Sequence, residues 1–138
     1  MAQNTAPIFP LVPAIQWGTT ALATANTAKD GTGTVLTVFT ADATNGSRVD
    51  YIKSRAIGSN VATVLRVFIN NGSTNATAGN NVLFVEKTIA STTLSEVAEL
   101  ADIIIPLDIS LPAGYKLNVT IGTTVAAGLM VSAVGGNY

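Results

Sequence analysis

The stretch SLPAGYKLNVTIGTTVAAGLMVSAVGGNY (residues 110–138) decides the fold class. Its first run alternates apolar and polar side chains through Leu117, Asn118, Val119, Thr120 and Ile121. A period of two residues is typical of a strand with one buried face. The preceding LPAGY (111–115) has a proline and a glycine in positions that suit a chain reversal. A second strand-like run, GLMVSAV (128–134), follows, so this part is expected to form two strands and to finish on the second.

Comparable runs are found upstream in the chain. They occupy residues 34–40, 47–57, 61–70 and 81–90, and a further strand is predicted over 16–24. Asn-Gly and Asp-Gly pairs between the runs supply the positive-φ positions of tight turns. About eight short strands, polar turns and no long helix predict an all-β fold, an antiparallel β-sandwich.

The run SRVDYIKSRAI (47–57) predicts which side chains share a face. Because successive side chains of a strand point to opposite faces, Ile52 is expected to lie opposite its neighbours. The other face is predicted to carry Val49, Tyr51, Lys53 and Arg55.

The segment TTLSEVAELADIIIP (92–106) fits two interpretations. Thr93 and Glu96 have the spacing of a helix capping box, which predicts a short helix. The β-branched run at 103–105 and the period-two pattern before it favour a strand over 97–106. We expect the strand.

Residues 1–16 are expected to form an extended arm ahead of a single sandwich domain over 17–138. Prolines recur at three-residue spacing in this segment, which favours extended backbone, at Pro7, Pro10 and Pro13. The arm and the residue just after it also carry large apolar side chains, at Ile8, Phe9, Leu11, Val12 and Trp17. Left in water, such side chains forgo the favourable free energy of burial, so we expect them to be covered by the domain itself or by a neighbour. They are therefore candidate partner-binding residues.

Composition excludes several classes of function. The chain has no cysteine and no histidine, which removes disulfides, Cys-based metal sites and the commonest general base. Charged residues make up 11% of it and the formal net charge is −1, so no electrostatic footprint for nucleic acid or an anionic membrane is present. Residues 1–18 do not have the pattern of a secretion signal. We expect a protein that is not secreted, is not an enzyme and uses no cofactor.

Two groups of acidic residues are candidates for catalytic or metal-binding roles. Glu96, Glu99 and Asp102 lie close in sequence, but no nucleophile or base accompanies them, which favours a solvated rim. A calcium loop and ordinary Asx turns both fit a second group, Asp42, Asn45 and Asp50. No catalytic or metal site is therefore predicted.

Basic and aromatic residues leave two further alternatives. Arg48, Lys53, Arg55 and Arg66, in two strands expected to be neighbours, fit either a solvated sheet face or a docking patch for an acidic partner protein. A sugar-stacking site and ordinary packing both fit the three aromatic residues Trp17, Tyr51 and Tyr115.

The C-terminal half resembles the cement or decoration proteins that are encoded beside the major capsid protein of tailed bacteriophages. The resemblance lies in LFVEKTIAS (83–91) with Glu86, in LPAGY followed by Leu117, and in a final hairpin with Gly135, Gly136 and Tyr138.

The resemblance implies a jelly-roll or related sandwich on the outer surface of a capsid. Such a protein is made in the host cytoplasm, binds the major capsid protein and bridges its subunits, and a dimer or trimer is expected on the lattice. No membrane or direct nucleic-acid contact is expected. The alternative is a carbohydrate-binding sandwich on a phage particle, which predicts aromatic side chains clustered on one sheet face or loop rim.

Overall fold

The computed structural model describes residues 9–138, which form eight strands and one turn of 3-10 helix at Ala78–Asn80. The strands are β1 (Val12–Trp17), β2 (Leu36–Thr40), β3 (Ser47–Ala56), β4 (Thr63–Asn70), β5 (Asn81–Ile89), β6 (Asp102–Leu111), β7 (Lys116–Ile121) and β8 (Leu129–Asn137).

The strands form two four-stranded sheets. The first sheet has the order β1-β8-β3-β6 and the second has the order β2-β7-β4-β5, with every pair antiparallel. The predicted all-β antiparallel sandwich is therefore confirmed. Two four-stranded antiparallel sheets with these strand orders have the topology of a jelly roll.

The core lies between the two sheets because one face of each strand is apolar. Alternate residues of β4 and β7, such as Leu65 and Val119, are fully buried. Other large side chains with no exposed surface or almost none come from both sheets: Phe39, Ile52, Leu117, Ile121, Leu129 and Val131. Both sheets therefore bury one face in the same core.

Loops lie against the outer side of the second sheet. The Asn26 N–H donates to the Ile121 carbonyl at 2.8 Å, and the Asn75 amide donates to the Gly31 carbonyl at 3.2 Å. Gly31 is buried with its Cα against the Asn81 side chain, at the start of β5. Polar or aromatic residues on the solvent side of this sheet are buried as a result: Arg66, Phe68, Asn118 and Thr120.

The first strand lies earlier in the chain than predicted. The expected strand over 16–24 was wrong: β1 covers Val12–Trp17, so residues 12–16 of the expected arm belong to the first sheet. Pro13 is compatible with this because β1 is an edge strand, where a missing N–H on the open side breaks no hydrogen bond.

The ambiguous segment 92–106 forms a strand only in its last part. No helix forms over 92–101, and β6 begins at Asp102 and continues to Leu111, so the predicted bounds of 97–106 were wrong. Pro106 does not end the strand because β6 is the other edge of the first sheet and pairs with β3 alone.

Candidate functional site

The outer face of the first sheet is open, and it gathers most of the candidate residues. In β1, Ala14 is buried whereas Ile15 is 62% exposed and Trp17 is 60% exposed. The strand register shows which residues of the neighbouring strands share this outer face, since directly paired residues lie on the same side of a sheet. Ile15 is paired with Val134 and Trp17 with Ser132 on β8.

A bulge in β3 determines which of its side chains face outward. Both Val49 and Ile52 are buried, and the register to β8 shifts between Val49 and Tyr51. The extra residue, Asp50, reverses the alternation, so Val49 points into the core. The prediction that Val49 shares a face with Tyr51, Lys53 and Arg55 was therefore wrong.

The apolar part of the outer face extends across all four strands. Tyr51 is paired with both Val134 and Pro106, and Lys53 is paired with Ile104. Ile104 is 49% exposed, and Met130, which is paired with Arg55, is 41% exposed. The apolar members are Ile15, Trp17, Tyr51, Ile104, Pro106, Met130 and Val134. This exposed apolar surface is a candidate interaction site.

Three of the four basic candidates lie on this face, at its two ends. The expectation for Arg66 was wrong, because it is buried on β4 of the second sheet beside Glu86. The Arg48 Nε lies 2.9 Å from Asp50 and its terminal nitrogen lies 3.3 Å from Asp108. At the other end, Asp102 lies 3.2 Å from the Lys53 Nζ and 3.2 Å from the Arg55 Nε.

These ion pairs make the face electrically neutral. Its three cations are matched by three carboxylates, those of Asp50, Asp102 and Asp108. Exposed pairs contribute little stability, but they leave no uncompensated cationic patch. The geometry therefore favours an apolar contact surface over a docking patch for an acidic protein.

The arm continues the apolar surface beyond β1. Phe9 is 68% exposed and Leu11 is 80% exposed; Val12 is also exposed, but it shares the side of Ala14 and not the outer face. The Leu11 N–H donates to the Asn137 carbonyl at 2.7 Å, which holds this part of the arm against β8. A shallow cleft is lined by Leu11, Asn45, Arg48, Ser110 and Tyr138. Ile8, the remaining arm candidate, lies outside the described residues.

The acidic candidates are dispersed in the structure. Asp102 is held by Lys53 and Arg55, whereas Glu96 and Glu99 are exposed in the irregular segment before β6. Over residues 9–138, no group of three histidine, cysteine, aspartate or glutamate residues could hold a metal ion. The same part of the chain contains no helix that is long and apolar enough to cross a membrane.

The calcium alternative is replaced by a turn. The Asp42 carboxylate accepts hydrogen bonds from the backbone N–H groups of Asn45 at 2.8 Å and Thr44 at 3.0 Å, which lower the pKa of Asp42. Asp50 instead binds Arg48. The structure therefore shows an Asx turn at Asp42, the second of the two interpretations.

Several residues of the outer face were missing from the predicted set. Ile15, Ile104, Pro106, Met130 and Val134 join the face through strand pairing. The period-two pattern predicts which side chains of one strand share a face, but it does not predict which strands are neighbours in the sheet. Tyr115 packs against the core and takes no part in this face.

No protein-family model matches the chain, and no curated protein or solved structure matches it. A jelly-roll topology does not identify a function, because the same fold carries capsid proteins, lectins and enzymes.

Proposed function

We propose that this protein is a structural component of a virion, which binds the outer surface of a tailed-phage capsid and stabilises contacts between major capsid protein subunits. The observation that carries the proposal is the open, apolar and electrically neutral outer face of the first sheet. Four adjacent strands present a broad apolar surface there, with Trp17 at one edge and Ile104 at the other. Burial of each large side chain against a capsid subunit would contribute about 1.5–3 kcal/mol.

The sequence resemblance supplies the kind of partner. The LPAGY turn, which precedes β7, and the last two strands are the features that resemble cement and decoration proteins. The expected final hairpin was wrong, because β7 and β8 lie in different sheets. In this proposal the protein acts by contact alone, with no catalysis or cofactor. It is made in the host cytoplasm, is not secreted and assembles on the outside of the capsid as a dimer or trimer, away from nucleic acid and membranes.

The proposal predicts that acidic substitutions on the outer face weaken capsid binding. The double variant Ile104→Asp, Met130→Asp places charges at two exposed positions of this face. We expect its dissociation constant to rise by about tenfold or more, since the apolar contacts are lost and the carboxylates resist burial. The measurement is co-sedimentation with shells assembled from the major capsid protein of the same genome.

Val82→Asp is the matched control, since Val82 is 56% exposed and lies on β5 of the second sheet. It should bind within about twofold of the unmodified protein, because an exposed substitution away from the contact changes little. The proposal is contradicted if Val82→Asp weakens binding while the double variant does not, or if the unmodified protein does not bind the shells.

A carbohydrate-binding function is the second candidate, and one observation favours it. Trp17 and Tyr51 lie on the same outer face, as a sugar-stacking platform would require. They are separated by the width of β8, so a ligand would have to span two sugar rings. Glycan binding that is lost in Trp17→Ala and kept in Ile104→Asp would support this candidate over the capsid contact.

A further inference from the structure

The edge of β1 has open backbone hydrogen-bonding groups. The Gly18 N–H donates to the Val131 carbonyl at 3.0 Å, directly after the pairing of Trp17 with Ser132. Hydrogen-bonded and non-hydrogen-bonded positions alternate along an antiparallel strand. The N–H and C=O groups of Ile15 and Trp17 therefore point away from β8, where they have no partner within residues 9–138.

The other sheet edges are more protected than that of β1, which has one proline on its open side, Pro13, near its start. On β6, Pro106 lacks an N–H, Asp102 is charged and exposed, and Asp108 adopts a left-handed conformation with φ 50°. The β2 edge is capped at Thr40, whose N–H and C=O both bind the Gln16 side-chain amide, at 2.8 and 2.9 Å. On β5 the edge is interrupted by a register shift and carries exposed charges. Proline, charges and bulges are the usual ways to block edge pairing.

We propose that β1 pairs with β1 of a second copy of this chain, antiparallel about a twofold axis beside Gln16. Ile15 of each copy lies opposite Trp17 of the partner subunit. The first sheets of the two copies then form one continuous eight-stranded sheet.

Pro13 selects this register. With the axis beside Gln16, the two Ile15–Trp17 pairs use all four open N–H groups and four of the six open C=O groups, the other two being those of Pro13. With the axis beside Ile15 instead, Pro13 of each copy would lie opposite Trp17 and could donate no hydrogen bond. Of these two registers, the one centred on Gln16 is therefore the one that pairs every open N–H group.

The side chains fit the same arrangement. Ile15 and Trp17 both point to the outer face, so each apolar side chain gains a cross-strand apolar neighbour from the other copy. In the same register, the exposed arm residues Phe9 and Leu11 lie beside segment 20–24 of the partner subunit. That segment, with residues 34–36, lines a groove of about 170 Å³.

A second copy is favoured over a different partner because the edge is complementary to itself. An isologous contact needs one patch that matches its own twofold image, and an apolar antiparallel strand does so without opposite charges. The ion pairs of the outer face leave no net charge that would select another protein. The dimer does not depend on the proposed function, because it forms without capsids, and it would present two outer faces side by side.

The test is the molar mass of the full chain in solution, measured by sedimentation equilibrium over a range of concentrations. We expect a monomer–dimer equilibrium. Ile15→Asp should weaken dimerisation by about tenfold or more, because it replaces a buried apolar contact with a charge. Ile104→Asp, at the opposite edge of the same face, should leave it unchanged. Circular dichroism of each variant checks that the sandwich is intact.

Disulfide trapping tests the register, since the chain contains no cysteine. A mixture of Ile15→Cys chains and Trp17→Cys chains should form crosslinked heterodimers faster than either variant crosslinks with itself, because directly opposed residues lie closer than diagonal ones.

Three outcomes would overturn the proposal. The first is a full chain that is monomeric or trimeric throughout. The second is a monomeric chain that dimerises only after residues 1–8 are deleted, which would mean that its own first residues cover the edge. The third is faster crosslinking of Ile15→Cys chains with one another than with Trp17→Cys chains.

Discussion

Arg48 connects the two irregular points of the first sheet. Its guanidinium binds Asp50, the extra residue of β3, and Asp108, the residue of β6 with a left-handed backbone. The same ion pairs neutralise one end of the outer face. A single side chain therefore supports the local geometry and removes the positive charge that the sequence suggested was available for docking.

In β3, the alternation of side chains along the sequence predicted the outward-facing residues correctly and misplaced a buried one. Tyr51, Lys53 and Arg55 point outward together, as a regular alternation predicts. Val49 was placed wrongly because a bulge has no reliable sequence signal: nothing about Asp50 distinguishes an extra residue from a paired one.

Gly135 should be intolerant of any side chain. It lies opposite Val49, where a Cβ atom would overlap with the Arg48 carbonyl oxygen, which is backbone and cannot turn aside. We expect Gly135→Ala to lower the free energy of unfolding by about 1–3 kcal/mol through overpacking. Urea denaturation measures the loss.

Gly79→Ala is the control for this effect, because nothing lies within 4 Å of a Cβ atom at Gly79. Its free energy of unfolding should stay within about 0.5 kcal/mol of the original. Equal losses in the two variants would show that close approach at Gly135 is not the cause.

At the scale of elements, β1 joins the arm to the sandwich. It was not predicted at its true position because its prolines resemble a linker, and only its place at a sheet edge makes Pro13 acceptable. The Gln16 side chain reaches from this strand to Thr40 of β2 and links the two sheets. Such a contact depends on the packing of distant segments, which local patterns do not contain.

Truncations should separate the arm from the strand. Deletion of residues 1–11 leaves β1 whole, so cooperative unfolding should persist with a change below about 1 kcal/mol. Deletion of residues 1–17 removes β1 and its ladder to β8, and it uncovers Val131 and Ala133. That deletion should cost about 2–4 kcal/mol or cause aggregation through the new edge.

Thermal unfolding of both truncated chains gives the comparison. If removal of residues 1–11 alone unfolds the protein, the arm belongs to the core of its own domain. If removal of residues 1–17 has no effect, β1 contributes nothing to the stability of the first sheet.

At the scale of the whole molecule, the sequence predicted the sandwich and most of its strands, because alternation and turns are local. Local patterns did not predict how the strands are ordered, although the resemblance implied a jelly roll, and that order gives the molecule its candidate site. Trp17, Tyr51 and Ile104 share a face only because β8 lies between β1 and β3, and β6 lies beyond them. The loops on the second sheet leave the first sheet as the open one.

The most direct test of the proposed function is a high-resolution density map of the native phage particle. The proposal predicts this chain on the outside of the capsid, over junctions between major capsid protein subunits, with Trp17, Tyr51 and Ile104 facing the shell. The proposal would be contradicted if the map shows no density for this chain on the capsid. It would also be contradicted if the chain is present but the outer face of its first sheet faces the solvent.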